Sequence, residues 1–220
     1  MTRLKFVLPF FVLAACSLAH GRAARAAEPE WRPLFDGKTL DGWQEFAAKD
    51  KWEVKDGALH CKGGGGGGLM TDKQYANFEV ELEYRTEPGG NSGVWVHVPA
   101  DIKPGQNPSY AGNEIQVLDD DAKEYAHLHP EQYCGSVYDV IAAKRGSTKP
   151  APEWNNMNIL SDGRHIKVTL NGQVIVDGSY DQRPEKNATH PGLQRTTGLI
   201  GLQNHTGPLD FRNLRIRELP

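Results

Sequence analysis

The sequence predicts an all-β protein, a sandwich or jelly roll of antiparallel strands, on three observations. Apolar and polar residues alternate with period two over Phe78 to Arg85. Two-residue Asp-Gly and Asn-Gly turns recur at short intervals, and no segment carries the 3.6-residue apolar repeat of an amphipathic helix. Strands joined by such turns pair with their neighbours, and a sheet that is apolar on one face must bury it against a second layer.

The N-terminus reads as an export signal over residues 1–26. Arg3 and Lys5 precede the apolar run Phe6 to Ala15, which is too short for a stable membrane anchor. Cleavage after Ala24-Arg25-Ala26 fits the small-x-small pattern and is the reading we favour, leaving residues 27–220 as a periplasmic or extracellular domain. The alternative takes Leu13-Ala14-Ala15-Cys16 as a lipobox, so that residues 1–15 leave and a lipidated Cys16 tethers the protein to a membrane. Loss of residues 1–26 removes four basic side chains and no acids, so 21 bases face 28 acids and the charge moves from -3 to -7. An acidic chain with no basic run is not built to bind phosphate backbones, which excludes nucleic acid as the expected partner. Cys61 and Cys134 are the thiols left in the exported domain, either a disulfide or two buried free thiols. About 190 residues suffice for one domain with a substantial core.

Along that domain, Trp52-Glu53-Val54 and Ala58-Leu59-His60 flank Asp56-Gly57 as a hairpin whose turn needs positive φ. Gly63 to Gly68 is a run of six glycines; without a following Lys-Ser/Thr or helix it reads as a flexible loop near a sheet edge, not a phosphate cradle. Phe78, Val80, Leu82 and Tyr84 form a packed face, and Glu79, Glu81, Glu83 and Arg85 a solvated or sheet-paired one. Pro99 to Gly112 is a long irregular connection of the kind that supplies binding loops. Trp154 to Val176 reads as a three-stranded meander turning at Asp162-Gly163 and Asn171-Gly172, and Leu199 to Gln203 and Phe211 to Arg217 close the sheets.

The chemistry points to Glu114-Ile115-Gln116-Val117-Leu118-Asp119. Glu114 and Gln116 share one face of a strand while Ile115 and Val117 point into the opposite layer. Asp119 is out of phase and joins them only if the strand bulges near Leu118. Trp95 and His97 share a face opposite Val94, Val96 and Val98, so they are expected to line the same groove. His127 and His129 form an H-x-H pair whose Pro130 and loop setting favour a turn over a metal site.

Several segments together resemble the 3-keto-disaccharide hydrolase domain. They are Leu34-Phe35-Asp36-Gly37-Lys38, Leu40-Asp41-Gly42-Trp43, Asn91-Ser92-Gly93-Val94, Glu114 to Asp119, Trp154-Asn155, Asn171-Gly172, Gly198 to His205 and Phe211-Arg212-Asn213. The resemblance covers nearly the whole chain after residue 30. It implies a concanavalin A-like lectin/glucanase fold, a jelly-roll sandwich of two curved antiparallel sheets with a sugar groove on the concave one. Laminarinase-type enzymes of that fold carry Glu-x-Asp-x-x-Glu on the catalytic strand. Here the intervals hold Glu114, Gln116 and Asp119, and because Gln116 cannot ionise, a two-carboxylate retaining mechanism is not expected.

The resemblance also implies a substrate with a ketone at C3 of a glycosyl unit, made by a sugar 3-oxidoreductase that is a metabolic partner. Removal of the acidified C2 proton, expulsion of the C1 substituent and addition of water would give net hydrolysis. The catalytic candidates are Glu114 as base, Gln116 as a donor, and Asp119 or His205 assisting departure. Asn91, Trp95, His97 and Gln203 are the substrate-binding candidates. No cofactor is predicted, although a divalent cation is another way to stabilise an enolate. A carbohydrate-binding module without catalysis and a conventional β-glucanase are the two rival readings.

Overall fold

The computed structural model describes residues 29–220, so the signal segment and its lipidated alternative lie outside the described residues. Among the described residues, thirteen strands form two antiparallel sheets. In chain order they are β1 (Arg32–Pro33), β2 (Trp43–Phe46), β3 (Trp52–Lys55), β4 (Ala58–Cys61), β5 (Gly68–Tyr75), β6 (Phe78–Thr86) and β7 (Asn91–Val98). A single-turn helix α1 (Pro108–Ala111) follows, then β8 (Asn113–Leu118), β9 (Asn155–Asp162), β10 (His165–Leu170), β11 (Gln173–Ser179), β12 (Gly198–Gln203) and β13 (Leu209–Glu218). One sheet has eight strands, ordered β11-β10-β9-β6-β13-β4-β3 with β1 on β13; the other has five, ordered β2-β5-β12-β7-β8. This is the two-layer sandwich that the alternation predicts.

The turns behave as their chemistry requires. Asp56 and Gly57 have φ of 51° and 75°, and Asn171 and Gly172 have 49° and 82°, so both hairpins use positive φ at the two central residues. The meander is β9, β10 and β11, paired in succession. Between the layers, Phe78, Val80, Leu82 and Tyr84 of β6 pack with Val94, Val96, Ile115 and Val117 of β7 and β8 in one buried cluster. That cluster fixes which side of β8 is left for chemistry. With Ile115 and Val117 turned inward, Glu114 and Gln116 must lie on the outer face of the five-stranded sheet.

The glutamates of β6 are sheet-paired, as expected, and lie far from that face. Glu83 accepts from Arg212 at 2.6 Å, Glu81 from Arg215 at 2.6 Å and Glu79 from Arg217 at 2.6 Å, all across the β6–β13 ladder. Half-exposed pairs of this kind hold the strand register and add little stability each.

Cys61 and Cys134 are both free and buried, so the disulfide alternative does not apply. Cys61 Sγ donates to Asn204 Oδ1 at 3.3 Å, and Cys134 Sγ lies 3.1 Å from Tyr84 Oη. Burial is the main force raising both thiols, Cys134 to about 12. Thiolates being the reactive form, neither residue is expected to react with iodoacetamide at pH 8 in the native protein, and both should after denaturation. Peptide mass mapping reads this directly, and native-state alkylation at either position would contradict the burial.

Candidate active site on the five-stranded sheet

Strand β8 is the last strand of its sheet, and an open edge would expose its backbone groups. The chain after β8 covers it. Gly135 N–H donates to Gln116 O at 2.8 Å, Gln116 N–H to Ser136 O at 3.0 Å, and Tyr138 N–H to Glu114 O at 2.8 Å. This returning segment carries Tyr138 alongside Glu114. On the other side, the long Pro99 to Gly112 connection ends in α1, whose start is fixed by Asn107 Oδ1 accepting from Ser109 N–H at 3.0 Å. Its end is held by His190 Nε2, which donates to Gly112 O at 3.0 Å, while the Tyr110 ring packs edge-on to His190 at 5.0 Å.

Between these walls lies a cavity of about 240 Å³. Glu114 and Gln116 line it, together with Ser109, Tyr110, Tyr138 and His205, and Asn91 and Gln203 complete its sides. Glu114 is the one carboxylate in that lining. It is 3% exposed, and Gln203 Nε2 donates to its Oε2 at 3.2 Å. Burial raises its pKa from 4.5 to about 7, against the opposing hydrogen bonds of Ser109, Trp95 and Gln203. Those donors favour the ionised form but do not replace the water that burial removed. The result is a carboxyl group that exchanges its proton near neutrality, the property a general base needs.

Space for the carboxylate comes from a glycine. Gly93 faces Gln116 across the β7–β8 ladder, and a Cβ there would fall 2.3 Å from Glu114 Oε1. The indole of Trp95, cross-strand partner of Glu114, lies over Gly68 and Gly201, where added Cβ atoms would meet it at 2.5 and 2.8 Å. Trp95 Nε1 donates to Ser109 Oγ at 3.2 Å, tying the sheet floor to α1.

Gln116 is partly committed, its Nε2 donating to Gln132 O at 3.2 Å and its Oε1 accepting from Val117 N–H at 3.1 Å. One Nε2 hydrogen remains for a ligand. Gln132 Nε2 donates to Tyr138 Oη at 3.1 Å, which leaves the phenolic proton of Tyr138 free to be donated elsewhere. Tyr110 is raised above the usual phenol range by burial first, then by Asp139, Tyr138 and Glu114, so it stays protonated. His205 stands exposed on the rim with its pKa lowered by partial desolvation.

Two expectations need correction. The β7–β8 register runs from Asn91 opposite Leu118 to Val96 opposite Asn113 without a shift, so no bulge re-aims Asp119. Asp119 instead accepts from Gly89 N–H at 2.9 Å and Asp121 N–H at 3.3 Å, closing a turn outside the cavity. The bulge is one strand away. From Trp95 to Val98 strand β7 takes three steps where β12 takes two from Gly201 to Leu199, and His97 sits there at φ 56°. That extra residue turns His97 inward, against the Phe78 ring at 5.6 Å with Nε2 on Ala76 O at 3.1 Å, so it does not line the groove. His129 serves as the cap of the short turn Pro130–Gln132, in keeping with its loop setting.

Sequence reasoning missed Ser109, Tyr110 and Tyr138. The first two lie inside the connection flagged as a binding loop, and Tyr138 reaches the site only through the edge-covering segment, which leaves no periodic signal.

With the geometry in hand, known proteins offer a comparison. Residues 30–217 match the family described as the 3-keto-alpha-glucoside-1,2-lyase-like domain. A 3-keto-disaccharide hydrolase of Bacteroides thetaiotaomicron is 29% identical over 224 aligned positions, covering 84% of this chain and 77% of that protein. A solved structure from Parabacteroides distasonis, described as a candidate glycosyl hydrolase, superposes with a TM-score of 0.76 at 28% identity over 86% of this chain and 94% of that one. The β-glucanase of Bacillus licheniformis, at 12% identity and a TM-score of 0.53 over 89% and 100% of the two chains, shares the jelly-roll fold.

Proposed function

Because the chain belongs to the 3-keto-alpha-glucoside-1,2-lyase-like domain family, and is on that ground a glycoside-cleaving enzyme, we propose that it acts on glycosides already oxidised to a ketone at C3. The observation that carries this reading is the solitary buried carboxylate: Glu114, with a pKa near 7, and no second acid in the cavity lining. Ordinary glycosidases need two carboxylates, one for the leaving oxygen and one for the anomeric carbon or its water. A C3 ketone changes the demand. It acidifies the C2 hydrogen, so one base suffices to begin.

In this mechanism Glu114 takes the C2 proton, and the electron pair passes into the C3 oxygen as an enolate. Tyr138, its oxygen already occupied by Gln132 Nε2, donates its proton in a hydrogen bond to that oxygen. The remaining Nε2 hydrogen of Gln116 is a second donor on the same side. Return of the electron pair forms the C1–C2 double bond and breaks the C1–O bond, with His205 on the rim hydrogen-bonding to the departing oxygen. Water then adds its hydroxyl to C1 while the proton held by Glu114 returns to C2, and the remaining proton of that water passes to the departed oxygen, giving the 3-keto sugar and the free aglycone. Asp119 has no part in it.

The protein would work after a sugar 3-oxidoreductase, which supplies the ketone, and outside the cytoplasm, as its first 26 residues suggest. Incubation of the purified protein with matched 3-keto and unoxidised disaccharides tests the chemistry. Cleavage confined to the ketone is expected. Cleavage of both would mean a conventional glycosidase, and saturable binding without products a carbohydrate-binding module.

A further inference from the structure

We infer that the groove continues beyond His205 into a second subsite, which holds the departing half of the substrate as a second sugar ring. This rests on the reading of the Glu114 cavity as the place where the bond breaks. A second cavity of about 400 Å³ adjoins the first and shares Asn107, Gln203 and His205 with it. The two are therefore one groove, with those three side chains at the junction. Elimination at C1 sends the leaving oxygen out of the Glu114 cavity, and the shared residues mark the exit.

The lining suits a sugar. Phe46 on β2 and the edge of Trp95 provide an apolar surface for a ring's C–H groups, and Gln106 and Asn107 provide amides for its hydroxyls. The facing wall is bare backbone. Gly63 to Gly67 all have φ between 72° and 88°, a conformation that side chains resist, and Gly66 and Gly67 line the cavity. This loop is held from behind, not loose: Asn204 Nδ2 donates to Gly65 O and Gly66 O at 3.1 Å, and Asn204 N–H to Gly67 O at 3.0 Å. The glycine run, which reads in the sequence as a flexible loop near a sheet edge, is a pinned wall that leaves room beside the bond being broken. A Cβ at Gly66 would meet nothing within 4 Å, so an asparagine, which tolerates positive φ, can be introduced there without a clash.

The test compares a 3-keto-disaccharide with the methyl 3-keto-glucoside, which lacks a second ring, for wild type, Phe46→Ala and Gly66→Asn. Each variant is expected to lose about tenfold in kcat/KM on the disaccharide, mainly through KM, and to stay within about twofold of wild type on the methyl glycoside. Retained methyl-glycoside turnover also shows that the variants are folded. Equal losses on both substrates, or none on either, would overturn the subsite. If wild type turns over neither substrate, the 3-keto chemistry fails while the subsite is still judged by tryptophan fluorescence with unoxidised ligands. Tighter binding of the disaccharide than of methyl glucoside, reduced by Phe46→Ala, supports it; equal affinities exclude it.

Discussion

Replacing Glu114 with glutamine is expected to lower turnover of a 3-keto-glycoside by about 10³-fold while leaving binding nearly intact, because general-base catalysis is worth roughly 10²–10⁴ and glutamine keeps the shape of the side chain. The pH profile carries a second signature. With a pKa of about 7, the ionised base disappears as pH falls, so kcat/KM of the wild type should drop tenfold per unit below pH 7 and level off above it. The residual activity of Glu114→Gln should lack that inflection. Stability moves the opposite way. A carboxyl group whose pKa rises from 4.5 to about 7 on folding binds its proton more tightly in the native state, so its contribution is fully present below pH 4.5 and is lost as pH rises through 7. The difference amounts to about 3 kcal/mol above pH 7. Glu114→Gln should therefore raise Tm at pH 8 and change it little at pH 4. Near-normal turnover by the variant, or an unchanged inflection, would remove Glu114 from the mechanism.

What the sequence disclosed about this site follows from the range of the forces involved. The alternation of Phe78 to Arg85 and the Asp56-Gly57 and Asn171-Gly172 turns are local consequences of period-two geometry and positive φ, so the strands and hairpins could be read without tertiary information. The placement of Glu114 and Gln116 on an outward face followed from Ile115 and Val117 by the same rule. His97 was misplaced because a one-residue insertion in β7 reverses every side chain beyond it, and a bulge leaves no periodic trace. Asp119 was misplaced by assuming the bulge on the wrong strand. Tyr138 and Ser109 were invisible for a different reason. They reach the cavity because the turn α1 before β8 and the covering segment after it fold back over the sheet, and such packing is encoded by no local pattern. The six glycines show the same limit. Composition suggested looseness, while three hydrogen bonds from Asn204 make the loop a wall.

Gly93→Ala is the sharper test of how this site is built, because it adds one methyl group and removes nothing. The backbone at Gly93 is ordinary strand, outside the positive-φ region, so alanine is free to adopt it and even limits the unfolded chain. The obstacle is the catalytic side chain itself. The new Cβ would lie 2.3 Å from Glu114 Oε1 and 2.6 Å from its Cδ, closer than such atoms approach, and the carboxylate is the far end of a flexible side chain beside an open cavity. It will move before the sheet does. A displacement of about 1 Å in a catalytic group costs on the order of 10²-fold, so kcat should fall by about that factor with Tm shifted by only a few degrees. Val94→Ala, one residue along the strand, should do the reverse. Its side chain is fully buried between the sheets, and truncation there should cost about 2 kcal/mol of stability while leaving the outer face and kcat nearly untouched. Thermal melts and initial rates on the two variants separate the roles of the two faces of β7. If Gly93→Ala kept full activity, the close seat of Glu114 on that glycine would have no catalytic meaning; if it unfolded the protein, the sheet and not the side chain would be what the glycine accommodates.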